Sequence, residues 1–113
     1  MPRDSNANGD IFGGWLVSQM DLAGCVTANQ LARGRVVTVA IESMMFLSPV
    51  TVGSTISCHT KVLHIGRSSM KIQVEVWACE PNEMEKHKVT EGLFTFVAID
   101  KNRRTRPVPR PAS

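Results

Sequence analysis

Residues 68–78 read SSMKIQVEVWA, and within them Met70, Ile72, Val74 and Val76 alternate with Lys71, Gln73 and Glu75. A period of two sends successive side chains to opposite faces, so the stretch is a strand with one apolar and one polar face. Working backward, Gly66-Arg67 reads as a two-residue hairpin loop with glycine in its first place. Its partner strand is Ser54–Ile65, with Ile56, Cys58, Thr60, Val62 and His64 on one face. Pro49 and Gly53 punctuate a turn, and before it Arg35–Phe46, rich in Val, Ile and Thr, reads as another strand. Working forward, Glu80–Lys86 is a polar loop and Val89–Asp100 a last, almost wholly apolar strand. Connections this short imply an antiparallel sheet.

Upstream the period lengthens. Trp15, Leu16, Met20, Leu22, Ala23, Val26 and Leu31 predict a mostly buried helix over Trp15–Leu31, with Gly34 as its stop signal. Residues 2–14 are rich in Asn, Asp and Gly and read as an irregular loop. One helix followed by four strands is an α+β architecture, the helix packed on one face of the sheet.

The chain has 113 residues, 42% of them hydrophobic and 20% charged, which suits one globular domain and excludes a mainly disordered chain. No apolar run approaches the ~20 residues of a membrane span. The polar start, Met1 to Asn6, reads as no signal peptide. Cys25, Cys58 and Cys79 are odd in number and far apart, which suits reduced thiols in a cytoplasmic protein. No His has metal-ligand spacing, and His59 and His64, five apart on one strand, should point to opposite faces. No metal is therefore expected.

The net charge of +3 is concentrated at one end: Lys101, Arg103, Arg104, Arg106 and Arg110 occur without an acid among prolines. Residues 1–100 form the domain, and 101–113 read as a solvated, frayed basic tail. The sharper reading is a contact for phosphates. With no Tyr and 5% aromatics, a small polyanionic ligand suits the chain better than nucleic acid.

Two acids bear on chemistry. Asp21 lies inside the apolar helix, beside Ser18, Gly24 and Cys25, where full solvation is not expected. It is either a functional carboxylate or a helix acid paired at an interface or with nearby backbone. Asp10, in Asn8-Gly9-Asp10-Ile11-Phe12-Gly13-Gly14, is either a turn or cap residue or part of a site. Gly13-Gly14 at a helix start would leave backbone N–H groups free for a carbonyl oxygen gaining charge, or would only permit close packing. Asp21 is eight residues beyond Gly13, about 12 Å along a helix at ~1.5 Å per residue. One subunit cannot easily join the two, whereas antiparallel helices across a twofold axis can. A catalytic reading therefore implies shared sites in a dimer.

Asn6-Ala7-Asn8-Gly9-Asp10-Ile11-Phe12-Gly13-Gly14-Trp15, followed by Ser18-Gln19-Met20-Asp21, closely resembles the start of YciA-like acyl-CoA thioesterases. Gly34 to Val39, Glu42-Ser43-Met44, Gly66-Arg67-Ser68-Ser69, Val74 to Trp77 and Phe94 to Ala98 continue the likeness in order. The resemblance implies a hotdog fold, a long central helix wrapped by an antiparallel sheet, and hydrolysis of acyl-coenzyme A thioesters. It implies Asp21 as the catalytic carboxylate, faced by Asp10 from the partner subunit. Asn8, Gly13 and Gly14 would contact the substrate, with the two glycines polarising the thioester carbonyl. Arg35, Gly66, Arg67, Ser68 and Ser69 would hold the CoA moiety. It implies no cofactor beyond the CoA of substrate and product, and a homodimer grouped further into a hexamer. Relatives carry a strand ahead of the Asn/Asp-rich segment at which this sequence opens, so one sheet edge is expected to lie bare. The alternative is a non-catalytic acyl-CoA or nucleotide-binding module. A dehydratase of the same fold needs a helix histidine, and residues 1–34 contain none.

Overall fold

The computed structural model describes residues 2–48, 50 and 53–109, with side chains from Gly13 onward. One helix, α1 (Pro2–Ala32), precedes four strands, β1 (Val36–Phe46), β2 (Thr55–Ile65), β3 (Ser69–Cys79) and β4 (His87–Ala98). All pairings are antiparallel, in the order β1-β4-β3-β2. The α+β reading and the four strands are as the alternation predicts. Strand order is not sequence order: β1 and β2 occupy opposite edges of the sheet.

The helix is longer than expected. Residues 2–14 continue α1 instead of forming a loop, and Gly13 and Gly14 lie inside it. After Pro2, which suits a first helical position, no proline interrupts the chain before Pro49. Each Asn, Asp or Gly costs at most about 1 kcal/mol against Ala, a weak barrier to extending a helix already nucleated. At its other end the helix runs one residue past the predicted Leu31, to Ala32. Arg33, not Gly34, takes the left-handed conformation, at φ 55°. The Gly34 N–H then donates to the Asn29 carbonyl at 3.3 Å, the six-to-one bond of a Schellman end.

The core forms where a four-residue helix stripe meets the inner sheet face. Leu16, Met20, Ala28 and Ala32 are buried against Met70, Ile72, Val74, Val76, Phe94 and Phe96. Gly24 sits in the middle of that stripe, and a Cβ there would lie 2.8 Å from Phe96 Cζ and 2.9 Å from Cε2. Glycine lets the helix settle onto the ring. At Gly92 a Cβ would meet Met44 Cε at 2.9 Å, so Met44 fills the space left by that missing side chain.

Bulges decide which way several side chains point. Between Val62 and His64 the β2–β3 register shifts, so Val62 pairs with Ile72 but His64 with Lys71. His64 therefore joins His59, opposite Glu75, on the outer face. The expected opposition of the two histidines fails because one extra residue reverses the alternation. The hairpin also differs: Ile65 pairs with Met70, leaving residues 66–69 as the loop, closed by Gly66 N–H to the Ser69 carbonyl at 2.8 Å.

Residues 101–109 are ordered into the fold rather than frayed. Asp100 Oδ1 accepts from the N–H groups of Asn102 and Arg104, at 2.8 and 3.0 Å, and tightens a turn that brings Thr105 back against Ile99. The Arg106 N–H donates to the Ala98 carbonyl and Val108 N–H to Arg67, with Val108 buried. Arg106 Nε donates to the Ile99 carbonyl at 3.0 Å. Backbone bonding and one apolar anchor outweigh the polarity that suggested a free tail.

Two outcomes test this packing. Gly24→Ala gains about 1 kcal/mol of helix propensity but overpacks Phe96, which costs typically 1–3 kcal/mol. A lowered denaturant midpoint is expected, and Gly24→Val should lower it further. Arg106→Ala removes the Ile99 bond and should lower the melting temperature by a few degrees, consistent with about 1 kcal/mol for one lost hydrogen bond in a small domain.

Candidate active site

Asp21 projects from α1 one residue after buried Met20, so its carboxylate lies beside the packed stripe, half-buried. Its partner comes from β1. Thr38 Oγ1 donates to Asp21 Oδ1 at 2.7 Å. Thr38 pairs with Phe96 and faces the helix, and the register shifts immediately afterward, between Thr38 and Ala40. On the helix's other flank Thr27 and Thr60 share a hydrogen bond of 2.8 Å, which ties α1 to β2. The helix is thus bonded to both edge strands, and Asp21 is held on the β1 side.

Large apolar side chains of α1 and β1 are open to solvent. Leu22 is 59% exposed, Val26 52%, Val39 56% and Phe46 57%, with Trp15, Ile41 and Met45 also exposed. Exposed apolar side chains in this number suit an interaction surface. Between α1 and β2 an open groove of about 460 Å³ is lined by Gln19, Leu22, Ala23, Val26, Cys58 and Thr60, among others. Burial pushes the Cys58 thiol upward, which keeps it protonated and unreactive. All three cysteines are free.

Arg35 and the 66–69 loop meet at one end of the sheet. The Ile99 N–H donates to the Arg35 carbonyl, Ala98 N–H to Ser68 and Val108 N–H to Arg67. Gly34 lies against the Arg106 guanidinium, 2.7 Å from where its Cβ would be. Arg33, Arg35, Arg67 and the basic 103–106 segment therefore share one end, with Arg33, Arg35, Arg67, Arg103 and Arg104 exposed. Gly13 and Gly14 have open space around them, since a Cβ at either meets nothing within 4 Å. As helix-interior residues, though, their N–H groups point along the helix to the preceding turn. The free donors expected at a helix start are not at 13–14 in this conformation. The side chains of Asn8 and Asp10, and the whole of Arg110, lie outside the described residues. Among the described residues no group of three His, Cys, Asp or Glu could hold a metal ion, and no helix is long and apolar enough to cross a membrane.

Thr38 is the residue that sequence reasoning passed over. It sits in Val36-Val37-Thr38-Val39, where a β-branched residue reads as an ordinary strand former. Its shared parity with Val36, facing the helix, was the available signal. A charged network on the outer face was equally hidden. Lys88 Nζ bridges Glu75 at 3.0 Å and Glu91 at 3.3 Å, and lies 5.6 Å from the Trp77 ring centre. The Lys88 ammonium, and then the Trp77 N–H, hold the Glu75 carboxyl below its ordinary range. A carboxyl lowered on folding stabilises the protein above its unfolded pKa and loses that contribution as pH falls through the folded value. Glu75→Gln should therefore lose less melting temperature than the native chain between about pH 5 and pH 3.

The thioesterase superfamily model matches residues 8–85. An uncharacterised acyl-CoA thioester hydrolase of Haemophilus influenzae is 55% identical over 114 residues, covering 97% of this chain and 73% of that protein. The acyl-CoA thioester hydrolase YciA of Escherichia coli K12 is 49% identical over 113 residues, 96% of this chain and 85% of its own length. Among solved structures, a hexameric broad-specificity acyl-coenzyme A thioesterase superimposes with TM-score 0.86 at 52% identity, covering 97% of this chain and 81% of that one. A hexameric thioesterase from Yersinia pestis gives 0.83 at 41% identity, over 88% and 80%. A hotdog-fold thioesterase of Campylobacter jejuni gives 0.82 at 38% identity, over 96% and 84%.

Proposed function

The chain belongs to the thioesterase superfamily, and from that premise we propose that it hydrolyses acyl-coenzyme A to a free acid and CoA with Asp21 as the catalytic carboxylate. The observation that carries the reading is Asp21 itself: a half-buried helix carboxylate on the β1 side of α1, anchored through one oxygen by Thr38. The other oxygen faces no described partner. It either takes a proton from the attacking water or attacks the thioester carbonyl to give a mixed anhydride that water then opens. In both routes the C–S bond breaks and CoA leaves as a thiolate. A thioester is already activated and thiolate is a good leaving group, so the chemistry calls for no metal or other cofactor.

The apolar face of α1 and β1 is covered, in this reading, by a second copy of the chain. Antiparallel helices across the twofold axis then bring Asn8, Asp10, Gly13 and Gly14 of the partner subunit toward Asp21. The open surroundings of the two glycines leave room for the thioester. Hexameric relatives support grouping of such dimers by threes. The end shared by Arg35 and Gly66, Arg67, Ser68 and Ser69 meets the CoA moiety, where arginine suits phosphate. A cytoplasmic location belongs to this reading, and the three free cysteines suit a reducing compartment.

The test is thiol release from a panel of short-, medium- and long-chain acyl-CoAs, with Asp21→Asn beside the native chain. Turnover that falls at least about a hundredfold in the variant, with CoA binding retained, is the expected result; the size follows from losing the group that activates the nucleophile, about 10²–10⁴ for general base catalysis. CoA binding without turnover by the native chain would replace the enzyme with a binding module.

A further inference from the structure

Resting on the assignment of Asp21 as the catalytic carboxylate, we infer that Met44 is the acyl-chain stop, a movable thioether plug folded over Gly92 that sets how long an acyl group the site accepts. Cross-strand pairing puts Thr38 opposite Phe96, Ile41 opposite Phe94 and Phe46 opposite Thr90. Phe94, Phe96 and Thr90 are fully buried on the inner face, so Thr38, Ile41 and Phe46 lie on that face of β1 as well. The line begins at the hydroxyl bonded to Asp21 and continues in apolar side chains, with Ile41 and Phe46 exposed. Glu42, the one charged residue of β1, pairs with Leu93 on the outer face. From the level of Phe96 to that of Gly92 is four residues of β4, about 13 Å at ~3.3 Å per residue. That is the reach of a medium-length acyl chain. An apolar line that starts at a carboxylate suits the tail of a thioester whose carbonyl sits at that carboxylate, and the second copy proposed above would roof it.

At the far end of the line the strand departs from regular geometry to deliver Met44. Glu42 pairs with Leu93 and Met45 with Glu91, so Ser43 and Met44 together face Gly92. Two residues against one is a bulge, which re-aims the side chains around it. Ser43 takes φ 53°, a left-handed conformation uncommon outside glycine. The buried Thr90 hydroxyl holds the bulge by donating to the Met45 carbonyl, and it lies 3.8 Å from Met44 Sδ. Backbone strain fixed in this way gathers at functional sites. The bulge brings the Met44 tip to the place where Gly92 has no side chain. A Cβ on Gly92 would lie 2.9 Å from Met44 Cε, 3.0 Å from Sδ and 3.4 Å from Phe94 Cε1. Met44 packs against the core but is only partly buried, and an unbranched thioether side chain adapts its shape readily. Swung aside, it opens a slot over Gly92 beside the Phe94 ring; folded in, it closes the line.

The experiment measures kcat/KM across saturated acyl-CoAs from butanoyl to hexadecanoyl. The native chain is compared with Met44→Ala, Met44→Phe, Gly92→Ala and the Met44→Ala/Gly92→Ala double variant, and circular dichroism melts confirm that each is folded. The native chain should lose kcat/KM beyond a medium length. Met44→Ala should move that limit to longer chains and raise the long-to-short ratio at least about tenfold, since one methylene accommodated in an apolar pocket is worth about 10- to 200-fold. Met44→Phe should lower the same ratio by a similar factor. Gly92→Ala, which displaces the thioether into the line, should act in the same direction as Met44→Phe. In the double variant the alanine methyl occupies the slot that Met44 vacated, so the profile should return toward native, a coupling that general destabilisation would not produce. A native profile with no length limit would overturn the inference. So would an unchanged profile in Met44→Ala, or a change equal at every chain length, which points to altered folding or assembly. These outcomes leave the role of Asp21 standing if Asp21→Asn is inert. Native turnover by Asp21→Asn, or an inert native chain, is the separate result that removes the catalytic assignment and the acyl-chain stop with it.

Discussion

The approach of one helix to one aromatic ring governs this structure. Gly24 lets α1 rest on Phe96 at a distance no side chain would allow. Leu16 and Met20 on one side, Ala28 and Ala32 on the other, keep the same buried line. Only at that spacing can short side chains on the flanks of the helix reach the sheet. Thr27 meets Thr60 on β2, and Asp21 meets Thr38 on β1. Both are two- or three-atom reaches, so a helix standing an ångström farther off would break both. The packing of the core and the placement of the carboxylate are therefore one constraint.

The surface divides as unevenly as the helix does. Toward β3 and β4 the inner face is sealed, with Val74, Val76, Phe94 and Phe96 inaccessible. On β1 the apolar side chains Val37, Val39, Ile41, Met45 and Phe46 lie open. An edge strand of that composition is prone to pairing, and natural proteins cover such edges. A second copy covers it in the proposed assembly, and the Asp21 site lies along the same margin. In that assembly, stability and catalysis draw on the same contact between chains.

The basic end shows how backbone bonding can recruit a polar segment. Pro107 and Pro109 give up their own donors, yet the N–H groups of Arg106 and Val108 find carbonyls on Ala98 and Arg67. The turn at Asp100 aims the chain back, and Val108 fixes its end in the core. The arginines are gathered by this return of the chain, so the positive charge becomes a local feature of the fold and not a diffuse property of a tail.

What the sequence determined by itself is the set of local patterns: alternation in β2 and β3, the almost wholly apolar run of β4, the apolar helix, the polar loop before β4, and one acid misplaced among hydrophobes. Those features survive because backbone sterics and side-chain direction act within a few residues. The helix start at residue 2, the left-handed Arg33 and the ordered 101–109 segment were not legible, because each rests on weak local preferences that distant contacts outvote. Tertiary structure alone decided the strand order β1-β4-β3-β2, the bulge that turns His64 outward, and the choice of Thr38 as the partner of Asp21. Each of these joins groups far apart along the chain, and nothing in a local period records which strand will lie beside which helix face.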